Sequence, residues 1–472
     1  MAKVLTRKGV HALKGPWHPV LRAYEQAIAV MRKRPASDAT SLAYQAAVHG
    51  VGSVFDPPPD KFRSQCQHNC WYFLPWHRWY LHYYEQIVRS TIAELVAAGT
   101  FVGRKDIASS WALPYWNYAK PGFDTLPVEF ASATRWDGKP NALFDPSRDP
   151  SVNGRTAAVD PRVAIPGPGV LHQPFSSTSS RVATFGGSAS GWQHFRELGA
   201  TAGGVEGTPH NVVHGFVGGN MLDFSTAGLD PVFWLHHCNI DRYWEVRGHG
   251  SDPTNWATTK FDFKDATKAS VRVTAAGCVN TVAQLGYRYD DTDEPTPPTR
   301  GLDVRRSRRA AMAEQEEPED LEPEVVGTSD PVELQGATVA TAVTISAPSP
   351  QFRTTRGGND EPRRVYLTVD DITGTVNPGI SYGVYVGGGG DEQLAGAISF
   401  FGIEGTQQGG HALAYTFDIT DIVAALRDEG AWDPADIAVS FEPIGSRPAG
   451  TRGGGAPDVA PVSVGSVSIA YQ

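Results

Sequence analysis

The sequence predicts a two-part chain. An α-helical core, a four-helix bundle with a loop-rich periphery that carries six histidines, is followed by a C-terminal antiparallel β-sandwich or barrel. Three observations lead there. Apolar residues recur at helical spacing, with caps and stops, over much of the first 290 residues. Histidines fall on those helices or at their ends. Beyond residue 336 the period changes to alternation between glycine-rich turns.

The elements follow in order. Residues 21–34 have a helical apolar pattern that stops before Pro35. Residues 41–48 form a short helix reaching His49, and residues 76–98 a long amphipathic helix ended by Gly99. Thr208 and Pro209 read as cap and first-turn proline before VVHGFV, and Asp230 and Pro231 repeat that signal before FWLHHCNIDRYWEV. Residues 119–190 are loop-rich. After Tyr289 the composition turns acidic and proline-rich, with RRSRR at 305–309 and EQEEPEDLEPE behind it. So little apolar content marks an exposed, protease-sensitive linker. The expected division is therefore a metal-holding domain over 1–300, a linker over 301–335 and a β-rich domain over 336–472 that covers the site. Segments such as RRVYLTVDDI, LAGAISFFGI and DIAVSFEPI supply its strands, with one helix inserted near 421–428. Gly387 to Gly390 lack the lysine and hydroxyl residue of a phosphate loop and read as a hairpin turn.

Bulk properties exclude several classes. The net charge is −10, from 41 basic and 51 acidic residues, which argues against a nucleic-acid partner. No apolar run approaches the ~20 residues of a membrane span, and the first residues lack an apolar leader. A cytoplasmic location with no membrane partner is the resulting expectation. The 4 cysteines are too few for a disulfide scaffold.

Histidine grouping carries the chemistry. His210 and His214 are spaced i, i+4, so both rings face one way on a helix. His237 follows on the next helix. Upstream, His68 and His77 flank NCWYFLPW, and His49 ends an earlier helix. Two sets of three neutral imidazoles each leave a coordination position open for a small molecule. A zinc-protease helix would carry glutamate inside its His-x-x-x-His step, and a di-iron bundle would use Glu-x-x-His pairs. Neither occurs here, and all-imidazole ligation suits two copper ions.

CQHNCWYFLPWHRWYLHYYE (66–85) resembles the first copper motif of tyrosinases, catechol oxidases and molluscan haemocyanins. PHNVVHGFVGGNM (209–221) and DPVFWLHHCNIDRYW (230–244) resemble the second. The resemblance implies that His49, His68 and His77 hold one copper and His210, His214 and His237 the other, with His236 a buried neighbour; the other reading of the 236–237 pair makes His236 the ligand. It implies small phenolic substrates and dioxygen as co-substrate: o-diphenols become o-quinones, and monophenols are hydroxylated at the ortho position. A haemocyanin-like oxygen carrier would use the same histidines without turnover.

The same resemblance assigns further roles. Cys66 would be joined to His68 by a thioether; the other readings are a thiol or a bridge to Cys70. Glu206 and Asn211 would hold a water that serves as base. Phe224 would be a gate, with Phe233 and Gly215 lining the pocket. Arg7 would pair with Tyr287 and Tyr289. Asp241 would accept an imidazole N–H or pair with a basic group. The β-rich domain is similar to that of plant-type polyphenol oxidases and implies a latent chain opened by an activating protease. Phe400, Phe401 or Ile403 would then plug the site.

Overall fold

The computed structural model describes residues 3–472 apart from 53–58, 168, 191–200, 251, 254–255, 257, 296–321, 347–353, 357–358, 362–363, 388–391, 405–411 and 445–458. The RRSRR block and most of the expected hairpin glycines lie outside the described residues. Among those described, no helix is long and apolar enough to cross a membrane.

Helix α1 (Pro19–Met31) opens on a first-position proline, with His18 Nδ1 accepting from the Val20 N–H. It ends short of Arg34. Helix α2 (Leu42–His49) is capped by the Ser41 hydroxyl, which accepts from Tyr44 N at 3.0 Å. Helix α3 (Phe73–Ala97) starts before the expected Trp76. Its Pro75 lies in the first turn, where a helix has no partner for the missing N–H. Helix α4 (Val212–Val217) is shorter than the cap signal suggests. Thr208 is extended (φ −142°, ψ 122°), its bond to Pro209 is cis, and a wide turn over Glu206–Asn211 leads into the helix. Helix α5 (Pro231–Arg247) is capped by Asp230, as expected.

Two small pairings tie this core together. Strand β1 (Leu5–Arg7) runs parallel to β4 (Tyr287–Tyr289), while β2 (Lys260–Lys264) and β3 (Ser270–Thr274) form a hairpin. Beside the first pairing lies a buried charge network. Arg7 donates to Glu85 at 2.9 Å and to the Tyr289 hydroxyl at 3.1 Å, and its guanidinium stacks 3.6 Å from the Tyr287 ring centroid. Asp241 accepts from Arg78, Arg7, Tyr287 and Tyr289. Its oxygens are thus engaged by basic and phenolic groups, and the alternative of an imidazole acceptor is withdrawn.

The C-terminal part is an antiparallel sandwich. One sheet contains β5 (Glu324–Thr328), β6 (Val332–Leu334), β8 (Val365–Gly374), β11 (Leu413–Asp418), β13 (Val462–Val464) and β14 (Ser466–Tyr471). The other runs β10 (Gln393–Ile398), β9 (Ser381–Gly387), β12 (Ile437–Ile444), β7 (Val339–Val343). Helix α6 (Thr420–Asp428) is the expected insertion. Strands β5 and β6 lie inside the stretch expected to be linker, because short edge strands carry too few residues to show alternation.

Two large apolar cores result among the described residues, with a small third cluster of Val163, Val212, Ala397 and Ile444 where the two parts meet. The helical one is rich in Trp, Tyr and Phe; the sandwich core is mainly Val, Ile and Leu from both sheets. Phe401 is the exception. It comes from the sandwich but packs in the helical core.

Candidate metal centre

Six histidines converge where α2, α3, α4 and α5 meet, all of them buried. Ring centroids of His49, His68 and His77 lie 5.1–5.5 Å apart. Those of His210, His214 and His237 lie 4.6–5.4 Å apart. The two sets touch through His77 and His237, stacked at 4.7 Å. Candidate ligand atoms of His210, His214 and His237 all fall within 4.8 Å of one another, as do those of His49, His77 and His237 and those of His49, Cys66 and His68.

The tautomers follow from the hydrogen bonds. Nδ1 of His49, His77 and His214 faces the carbonyl oxygens of Phe224 (2.7 Å), Phe73 (2.8 Å) and Met221 (2.7 Å). A carbonyl only accepts, so each Nδ1 carries the proton. The Nδ1–H of His210 donates in the same way to Asn211 Oδ1 at 2.8 Å. In a neutral ring the other nitrogen is then a bare lone pair. Burial keeps these rings neutral: it pushes His77 down to about 3 and His214 to about 4, and holds His210 and His237 well below the ordinary range.

This arrangement tests whether a metal fits. Nε2 of His210 and Nε2 of His214 each lie 3.3 Å from Nε2 of His237. One N–H on His237 could serve only one of two lone pairs. Nε2 of His77 and Nδ1 of His237 are buried with no hydrogen-bond partner among the described residues. Converging soft-to-borderline nitrogen donors without protons are a cation site, and an all-imidazole set fits copper.

His236 stands apart. Its ring stacks 5.4 Å from His210, its Nδ1 lies 3.3 Å from the Tyr118 hydroxyl, and it belongs to none of the metal-distance groups. None of the four cysteines is in a disulfide, so a Cys66–Cys70 bridge is not formed. Burial pushes the Cys66 thiol well up.

The remaining expected residues surround the histidines. Phe233 lies 4.2 Å from His237 and 5.2 Å from His49, wedged between rings. Phe224 sits beside His49 at 6.4 Å. Gly215 faces the sandwich: a Cβ there would stand 3.5 Å from Ser381 Oγ. Both oxygens of Glu206 accept from the Asn69 N–H, at 2.9 and 3.0 Å. Burial raises the Glu206 carboxyl to about 8. Of the three plug candidates, Phe401 reaches the centre, 4.5 Å from His214 and 5.8 Å from His68. Phe400 and Ile403 stay in the sandwich core.

Phe73 and Tyr415 escaped the sequence reading. Phe73 lies 4.7 Å from His77 and 4.8 Å from His210, bridging the two sets. It lies inside the first motif, four residues before His77 on the same helix, and that spacing was a usable sign. Tyr415 comes from the sandwich, and no local pattern marks it.

Comparison with known proteins agrees with this geometry. Residues 39–247 match the common central domain of tyrosinase, 251–299 the polyphenol oxidase middle domain, and 322–472 a domain of unknown function. The chain is similar to a tyrosinase of Hahella sp. (strain CCB-MM4), at 30% identity across 93% of this chain and 95% of that protein. To a chloroplastic polyphenol oxidase of Malus domestica it is 28% identical, over 79% of this chain and 64% of that longer protein. Among solved structures, latent apple tyrosinase shares the fold with a TM-score of 0.61 at 22% identity, covering 99% of this chain and 97% of that one. These relatives correct one expectation. Plant members are named as chloroplastic, so the cytoplasmic location is withdrawn.

Proposed function

Since the chain belongs to the tyrosinase and polyphenol oxidase family, copper enzymes that oxidise phenols with dioxygen, we propose how its own residues divide that work. His49, His68 and His77 hold one copper; His210, His214 and His237 hold the other. The observation that carries this reading is the convergence of lone pairs on His237 Nε2 from His210 and His214, each 3.3 Å away. When bound, the copper pair supplies the redox step between dioxygen and the phenol. The oxygen-carrier alternative is not favoured, because the matched relatives are oxidases.

The protein contributes geometry and proton handling. Backbone carbonyls of Phe73, Phe224 and Met221 fix three imidazoles by their Nδ1–H. Phe233 and Phe73 keep water from the rings and provide apolar walls for an aromatic substrate. Phe224 and Gly215 shape the way in. Glu206 and Asn211 hold a water that takes the phenol proton, and the ionised carboxylate is the form that acts as base. Cys66 Sγ is joined to a ring carbon of His68 with loss of one S–H and one C–H, a two-electron oxidation for which dioxygen would be the oxidant, and the bond locks that ring. The thioether is checked by a peptide mass lower by the two hydrogens lost.

The chain is a latent form in which the sandwich covers the site. We assign the plug to Phe401, on the strength of its 4.5 Å approach to His214. A protease acting on the 301–335 segment releases it. Oxygen uptake by the copper-loaded chain tests the whole reading. Uptake with catechol and with a simple monophenol is expected to rise after the linker is cut. Equal, negligible uptake before and after cutting, with two coppers bound, would overturn it.

A further inference from the structure

Asn211 is held from two sides, and one side belongs to the covering domain. The Nδ1–H of His210 donates to Asn211 Oδ1 at 2.8 Å. Asn211 Nδ2 donates to the Tyr415 hydroxyl oxygen at 3.3 Å. The Tyr415 hydroxyl in turn donates to the Ser399 carbonyl at 2.7 Å. Each step has one direction. A carbonyl oxygen only accepts and an amide nitrogen only donates, and the single phenolic proton is committed to Ser399. The result is an ordered chain from a candidate copper ligand to the backbone of the sandwich.

Tyr415 is built into this place. It is buried on β11 with 4% exposure. Its ring lies against Gly207, where an added Cβ would come within 3.2 Å of it. The neighbouring Thr416 hydroxyl donates to the Ser180 carbonyl at 2.9 Å, and Thr208 donates to the Ala397 carbonyl at 3.4 Å. Strands β10 and β11 therefore seat the hydroxyl on Asn211 with little freedom. Phe401 does something different: it fills the space beside His214 and makes no contact with Asn211 among those described.

We propose that Tyr415 is a positioning residue through which the covering domain controls monophenol hydroxylation separately from access to the site. It engages one of the two N–H donors of the Asn211 amide and so fixes how that amide is turned toward the water it would share with Glu206. The inference rests on the reading of Asn211 and Glu206 given above. The domain thus acts at two points. Phe401 excludes any phenol, whereas Tyr415 restrains the amide that orients the base, which a monophenol needs more than a diphenol does.

The test uses the full, uncut chain. In a Phe401→Ala background that admits substrate, adding Tyr415→Phe keeps the ring and removes the acceptor. The monophenol-to-diphenol rate ratio is expected to rise several-fold, with diphenol oxidation little changed. In parallel, copper-free chain labelled with ¹⁵N at asparagine gives the Asn211 side-chain amide resonance, assigned by its loss in Asn211→Ala. Tyr415→Phe is expected to shift that resonance and speed its hydrogen exchange. An unmoved resonance overturns the proposal, even if the Phe401→Ala chain excludes substrate; so does an unmoved ratio in a chain that turns over diphenols. The parent reading fails separately: in the linker-cut chain, Asn211→Ala with an unchanged ratio would show that Asn211 does not serve the base.

Discussion

At the scale of single residues, the imidazole tautomers decide the chemistry. His214 has its Nδ1 proton tied to Met221 and its Nε2 facing His237 at 3.3 Å. Removing it in His214→Ala is expected to lower bound copper from two ions to one per chain, read by metal analysis after dialysis. Retention of both would remove His214 from the ligand set. Glu206 makes a prediction in pH. Burial raises its carboxyl from 4.5 to about 8, against a small lowering by the Asn69 N–H. The folded copper-free protein keeps that proton where the unfolded chain loses it. The associated stability is complete below about 4.5 and is lost as pH rises through about 8. Glu206→Gln cannot ionise, so the thermal midpoint of the parent is expected to fall relative to the variant across that window. Parallel midpoint curves would show that the carboxyl is not so shifted.

At the scale of elements, the helices were legible where their punctuation was local. Ser41 and Asp230 cap as their side chains suggest, and the helix after Asp230 places His237. The start of α3 was misread because Pro75 looks like a boundary but occupies a first turn. The turn at Thr208 was misread because its extended conformation is fixed by tertiary contact, including the hydrogen bond to Ala397 far along the chain. Short strands β5 and β6 hid in an acidic stretch for want of length. The six histidines were legible because they fall in or beside local motifs, two of them spaced i, i+4; Tyr415 was not, since its contact with Asn211 exists only across two domains. The crossing of α3 and α5 rests on Asp241 between Arg78 and Arg7. Those cations hold its carboxyl below the ordinary range despite burial. Asp241→Asn removes the anion that two buried guanidiniums share, leaving Arg7 with Glu85 and Arg78 with Glu245, and is expected to cost ~3–5 kcal/mol, measured by denaturant unfolding. A loss under ~1 kcal/mol would mean that Glu85 and Glu245 suffice, the latter 2.9 Å from Arg78.

At the scale of the whole molecule, the latency proposed above would be an interface property. Phe401 lies in the helical core, while Arg162 reaches from the core loops to Tyr385 and Glu442 on the sandwich. Phe401→Ala in the uncut chain is expected to release part of the diphenol oxidation that cutting releases fully, followed by oxygen uptake. No release would mean that strand docking alone closes the site.

The pairing of β1 with β4 also has a mechanical consequence. Leu5–Arg7 lie in register with Tyr287–Tyr289, and Asp290 is held by Gly9 and Tyr115 just beyond. Tension reaching the core through the tail after residue 290 meets this parallel pair, with its Arg7 clamp, and also α5, since Arg242 donates to the Asp291 carbonyl at 3.3 Å. A pull on the tail is thus spread over the first strand, the loop at Tyr115 and α5, as a cable's is over its clamp, rather than falling on one helix of the histidine cluster.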